Sequence, residues 1–508
     1  MDIDYSQFLS LGPEICLIAV LVIVFIADFV SARKPIMVPA VSEGAENVTA
    51  GGLVTPRPWF NTLVVLLMTV YLLLNMSPTA AGTAFGGMYY TNASVGIIKT
   101  IIGFGALIVL IQSREWMQRP DTTFKEGEFY MLIVSTLLGM NVMVSANHFL
   151  LFFLGLEMAS VPMACLVALD KYRHDSAEAG AKFILTATFS SGVMLYGISF
   201  LYGAVGTLYF DDVAAKITLS PLTIMGMVFF FSGLAFKISL VPFHFWTADT
   251  YQGAPTTVTG YLSVCSKGAA AFALCAILIK VFAPLTTYWQ YLLDIIVVLS
   301  ITIANLFAIR QKDMKRFMAF SSISQAGYIV LAIIGDNAMS FTSLSFYVLV
   351  YVVANLGVFA VISSIEEHNG GKVNREDYNG LYKTNPKLCV LMTFALFSLG
   401  GIPPFAGMFS KFFVFMAAVK GMSIDTPSGA ITYAVVFIAL VNTVISLYYY
   451  LLVVKAMFIK HNDKPLPYFK SAPSTKLALA LCTVGVLAFG VCSFIFDWIN
   501  AASSVMTL

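Results

Sequence analysis

GLAFKISLVPFHFW, residues 233–246, sets a lysine and a proline inside an otherwise apolar run. Apolar runs of about 20 residues are the length of a membrane-crossing helix. Pro242 has no N–H and sterically opposes a hydrogen bond to the carbonyl of Ile238, so the helix should break just after Lys237. A charge near the bilayer centre costs about 2.5–3.5 kcal/mol on insertion scales. Lys237 is therefore a candidate functional residue in a broken membrane span.

Working outward, the whole chain has the same character. Of its 508 residues 59% are hydrophobic and 11% charged, and the mean hydropathy is +0.85. Soluble domains carry about 25% charged residues, so the natural solvent here is lipid. The fold class expected is an all-α polytopic transmembrane helical bundle. Fourteen spans can be placed, roughly at 9–31, 59–76, 95–112, 129–146, 148–169, 179–203, 221–243, 256–283, 289–310, 316–334, 341–365, 386–420, 429–459 and 473–497. Residues 170–178 and 211–220 read as loops. Met1 to Gln7 contain no Lys or Arg, so the first apolar run reads as a retained span rather than a cleaved leader.

The basic residues support the count. Most of the 29 lie in alternate loops, among them Arg33, Lys34, Arg57, Lys171, Arg310, Lys312, Lys383 and Lys464. The opposite loops and their flanks hold Lys99, Lys216, Lys280 and Lys420. By the positive-inside rule both termini should face away from the cytoplasm, which suits a bacterial inner membrane. The basic residues form no dense patch for nucleic acid. Seven cysteines lie in or beside apolar segments without a C-x-x-C pair, and read as inert buried thiols.

A second broken span lies at 386–420, where SLGGIPPFAGMFSKFFVF (398–415) carries Gly400, Gly401, Pro403 and Pro404 ahead of Lys411. If spans four to eight and nine to thirteen are grouped, the broken span is fourth of five in each group. Five is odd, so the second group enters from the opposite face, as in an inverted repeat whose discontinuous helices place polar groups near the midplane. The expected organisation is an N-terminal three-helix segment at 1–128, five-helix repeats at 129–283 and 289–459, and a C-terminal helix at 460–508.

Lysines 182, 237, 267, 411 and 455 and Glu157 lie within spans. Such a row suggests a path for a small ion. Desolvated lysine gives up its proton readily and recovers it beside an acid, whereas sodium prefers carboxylate and carbonyl ligands. Glu157 beside a lysine of the next span would hold that lysine charged. Bland readings compete: Lys182 lies a turn into its span and Lys455 near the end of its own, so both can snorkel. His244 either relays protons or satisfies the freed backbone. Asp294 near a span end suits water contact. The GFG at 103–105 is better read as helix packing than as a nucleotide loop, and the N-x-S/T matches at Asn47 and Asn92 read as chance.

Residues 233–269, the 398–415 piece and LGLEMASVP around Glu157 resemble the proton-translocating antiporter-like subunits of NADH:quinone oxidoreductase, respiratory complex I. Within that family, Lys411 and NREDYNGL at 374–381 match the branch with lysine on the twelfth span. The likeness implies that Glu157 and Lys182 form an ion pair, that Lys237 is the central switching lysine, that Lys267 connects, and that Lys411 leads outward. It departs at Ala248 and Thr250, where many relatives have Pro and Val. It also implies partners among the other complex I membrane subunits, with NADH, FMN, iron–sulfur clusters and quinone held elsewhere and no cofactor in this chain. A subunit of a cation/proton antiporter or membrane-bound hydrogenase shares the same motifs. A stand-alone solute transporter and a structural scaffold are rivals from other classes.

Overall fold

The protein is described by a computed structural model over residues 7–31, 57–76, 81–119, 122–170, 173–462, 465–492 and 494–503. Arg33, Lys34, Asn47, Lys171 and Lys464 lie outside these residues. Helices α1 (Gln7–Ser10), α2 (Gly12–Val30) and α3 (Pro58–Asn75) come first. A small antiparallel hairpin, β1 (Gly82–Ala84) and β2 (Tyr89–Thr91), then leads into α4 (Ala93–Met117). Next are α5 (Glu126–Val144), α6 (Phe149–Val167), α7 (His174–Val205), α8 (Phe210–Lys216), α9 (Pro221–Ile238), α10 (Phe245–Gly253), α11 (Thr256–Tyr261) and α12 (Lys267–Lys280). The second half runs through α13 (Thr286–Arg310), α14 (Met314–Ile334), α15 (Ala338–His368), α16 (Pro386–Gly400), α17 (Ala406–Val419) and α18 (Pro427–Phe458). Helices α19 (Pro473–Val491) and α20 (Phe494–Ser503) end the described chain.

Among the described residues 13 helical segments are long and apolar enough to cross a membrane. Neither α16 nor α17 reaches that length; they are the two pieces of the broken span expected at 386–420. The breaks fall where proline and glycine forbid a continuous ladder of hydrogen bonds.

Helices α14 and α15 form the axis of the bundle. Phe317 to Ile334 are all buried, as expected of a helix apolar all round. Peripheral helices do the reverse: α18 exposes Phe437, Leu440 and Val444, surface that lipid covers without penalty. Small residues bring helices close. A Cβ at Gly105 would meet Cys265 Sγ at 2.8 Å, so the GFG turn serves packing.

Three local readings are corrected, and one element is new. Residues 211–220 are not all loop, because α8 occupies Phe210–Lys216 with Asp211 and Asp212 in its first turn, where acids complement the helix dipole. The hairpin at 82–91 was not foreseen from sequence. The last span stops at Val491, with α20 a separate helix. Asp294 is buried, only 3% exposed, rather than facing water.

Candidate functional site

Helix α9 ends at Ile238, and Ser239 adopts a left-handed φ of 68°. Lys237 therefore sits in the last helical turn, where a cation complements the negative end of the helix dipole. Its side chain is buried, and Nζ donates to Ser160 Oγ at 2.7 Å. Ser160 lies three residues after Glu157 on α6, so both face the same neighbour. The Glu157 carboxylate is half-buried and within electrostatic reach of Lys237.

The expected pair of Glu157 with Lys182 does not form. Lys182 Nζ instead bonds Glu178 Oε1 at 2.7 Å and Asp249 Oδ2 at 2.8 Å, with its side chain 45% exposed. Glu178 lies one turn earlier on the same helix, and Asp249 is carried in by α10 beyond the break, so this face of α7 points away from α6. Arg316 Nη1 completes the cluster, 2.6 Å from Asp249 Oδ1. His244 caps α10, is 8% exposed, and its Nδ1 makes no hydrogen bond among the described residues. Lys455 is exposed, in keeping with snorkelling.

Lys267 begins α12 directly after a π-helical turn at Leu262–Ser266. Such turns are α-helices with an inserted residue and often occur at functional sites. Its Nζ donates to Ser322 Oγ at 2.6 Å, and the same oxygen accepts from Tyr351 at 2.9 Å. The Tyr251 ring centroid lies 5.3 Å from the ammonium. No carboxylate pairs with Lys267 among the described residues.

At the second break Gly401 takes the left-handed turn, φ 83°. The final carbonyls of α16 are thus left open, and Lys411 Nζ donates to Leu399 O at 2.9 Å and approaches Gly400 O at 3.4 Å. Gln325 Nε2 donates to the same Leu399 O at 3.2 Å, and Tyr347 OH bonds Gln325 Oε1. A cavity of about 10 Å³ is lined by Tyr347, Tyr351, Gln325 and Lys411, about the space one water needs. Tyr351 thus faces Lys267's partner on one side and Lys411's surroundings on the other.

The structure buries Lys237, Lys267 and Lys411, leaves Glu157 half-buried near the first of them, and leaves Lys182 exposed. Sequence reading missed Ser160, Ser322, Gln325, Tyr347 and Tyr351. Serines are common in helices of every kind, and only their position opposite a lysine distinguishes these.

Comparison with known proteins gives the class first. Residues 146–446 match the family described as NADH:quinone oxidoreductase/Mrp antiporter, TM. NADH-quinone oxidoreductase subunit N of Phocaeicola vulgatus is 56% identical to this chain over 497 residues, covering 98% of the chain and 99% of the relative. A chain in the solved respiratory complex I of Thermus thermophilus with bound aureothin superposes at TM-score 0.77 with 30% identity, covering 96% of this chain and 100% of that one. A chain of the Mrp complex from a Dietzia species reaches TM-score 0.80 at 18% identity, covering 99% of this chain and 98% of its own, which shows a shared fold. The chain belongs to this family of multi-pass membrane subunits, in the branch of NADH-quinone oxidoreductase subunit N.

Proposed function

We propose that this chain is a proton-translocating membrane subunit of NADH:quinone oxidoreductase, coupled to quinone reduction carried out elsewhere in the complex. The observation that carries the reading is the row of three buried lysines, each held by hydroxyl or carbonyl oxygens. Ammonium groups repel metal cations and exchange protons, and lysine is a readily tuned proton carrier once desolvated. Glu157 acts on Lys237, Lys267 passes protons between halves through Ser322 and Tyr351, and Lys411 serves the second break. Lys182, with Glu178 and Asp249, is an entry group at the edge, and His244 is a relay beside the first break. Residues 129–283 and 289–459 are the two inverted halves. The chain resides in the inner membrane with both termini outside the cytoplasm. It assembles with other complex I membrane subunits, and NADH, FMN, iron–sulfur clusters and quinone belong to other subunits. The full-length likeness to subunit N favours this over a cation/proton antiporter or hydrogenase subunit.

The test is Lys237→Met in the whole complex, reconstituted in vesicles, with the rate of redox-driven proton uptake measured per assembled complex. A collapse of that rate with normal assembly is expected. A wild-type rate would overturn the reading.

A further inference from the structure

The matched family region begins at residue 146, yet a second buried ionic site lies before it. Lys99, in the second turn of α4, has a side chain with no exposed surface, and its Nζ pairs with Glu14 Oε1 at 2.7 Å. Glu14 is in the first turn of α2 and its side chain is 5% exposed. From the hairpin, Tyr89 OH donates to Glu14 Oε2 at 2.7 Å and accepts from Lys99 Nζ at 2.9 Å. Sequence position alone makes Lys99 a loop flank, and the structure corrects this.

A sealed ion pair is a poor stabiliser, since apolar side chains of similar volume commonly do as well or better. Polar groups continue inward from the pair. Tyr71 is within electrostatic reach of Glu14, and its hydroxyl accepts from Asn141 Nδ2 at 2.7 Å. Beyond it Tyr261 OH meets Thr136 Oγ1 at 2.8 Å, and Tyr261 ends α11, the helix that continues to Lys267. Asn141 Oδ1 is buried and makes no hydrogen bond among the described residues. Buried polar atoms of that kind normally bind water.

We propose that Glu14, Lys99 and Tyr89 form a further proton-carrying site, exchanging protons between the polar interior at Tyr71 and Tyr261 and the face of the bundle that carries the hairpin. The Lys99 ammonium passes a proton to the Tyr89 hydroxyl as that hydroxyl passes its own to the Glu14 carboxylate, leaving a neutral amine and a carboxylic acid. The acid releases its proton toward the hairpin face, and the amine takes up another from the interior. The cycle restores the ion pair and moves one proton.

The inference rests on the proposed function, and the experiment separates the two. The double variant Glu14→Gln/Lys99→Met removes both charges together, and Tyr89→Phe keeps the ion pair while removing the hydroxyl. Each is measured in the whole complex beside Lys237→Met, as redox-driven proton uptake per assembled complex. The double variant is expected to assemble and to fall to the level of Lys237→Met, with Tyr89→Phe several-fold slower than wild type. Wild-type uptake by the double variant would make the pair structural and overturn the inference. Should the double variant fail to assemble, Tyr89→Phe decides alone, and an unchanged rate there overturns it too. If Lys237→Met itself keeps the wild-type rate, the functional reading falls instead.

Discussion

The two helix breaks share a backbone design and differ in what faces the lysine. Each ends a helix on a left-handed residue, Ser239 in one and Gly401 in the other. At the first, Lys237 meets the hydroxyl of Ser160 with the Glu157 carboxylate nearby. At the second, Lys411 has no carboxylate partner among the described residues and is held by the last carbonyls of α16. A carboxylate can gain or lose a proton or be drawn toward another cation. A helix terminus is a fixed partial charge, roughly half an elementary charge. The first break can therefore be switched by its counter-charge, whereas the second offers its lysine a constant field.

Removing the lysines tests the shared part of that comparison and should have the largest effect. Lys411→Met, like Lys237→Met, is expected to slow redox-driven proton uptake about 10²-fold, the usual loss for a group that transfers protons. A smaller effect at one break would show that its lysine is bypassed.

Glu157→Gln probes the difference. It should slow uptake about tenfold, add little to Lys237→Met, and add its full effect to Lys411→Met, because the Glu157 charge acts on Lys237 and distant, independent sites add. Equal coupling to both lysines, read from the double-mutant cycles, would break the distinction between switched and fixed fields.

Gly401→Ala should come next. A side chain at φ 83° costs about 1–2 kcal/mol, and the new Cβ would stand 3.1 Å from Lys411 Cδ. Severalfold slower uptake is expected. Ser239→Gly at the matching turn should keep or slightly raise thermal stability, because the residue there already bears the strain.

Lys182→Met should have the smallest effect, about twofold, since its pairs are exposed and such pairs contribute about 0–1 kcal/mol. A loss as large as that of Lys237→Met would rank Lys182 with the buried lysines.

Much of this was legible in the sequence. The spans show through composition, and the breaks through Pro242 and the GGIPP run at 400–404, because proline and glycine act on the backbone locally. The mid-span lysines show because lipid makes a charge conspicuous. The pairing of Lys182 was not legible, since it depends on how α7 is rotated against α6 and α10, and sequence fixes depth far better than azimuth. Lys99 departs from expectation for a related reason: its place near a helix end suggests water, but Tyr89 of the hairpin and Glu14 close over it. Ser322 and Tyr351 carry no mark apart from what they touch.

The π-helical turn ahead of Lys267 has an evolutionary corollary. One residue more or less in a helix turns everything beyond it by about 100° and moves it about 1.5 Å. Lys267 is thus aimed at Ser322 by the length of the chain, and no side chain in Leu262–Ser266 has to do the aiming. Apart from Ser263, which accepts from Asn355, substitutions in that turn can drift so long as they pack, while a single-codon deletion would straighten the helix and swing the ammonium off Ser322. Lineages should vary there in residue type and hold constant in count.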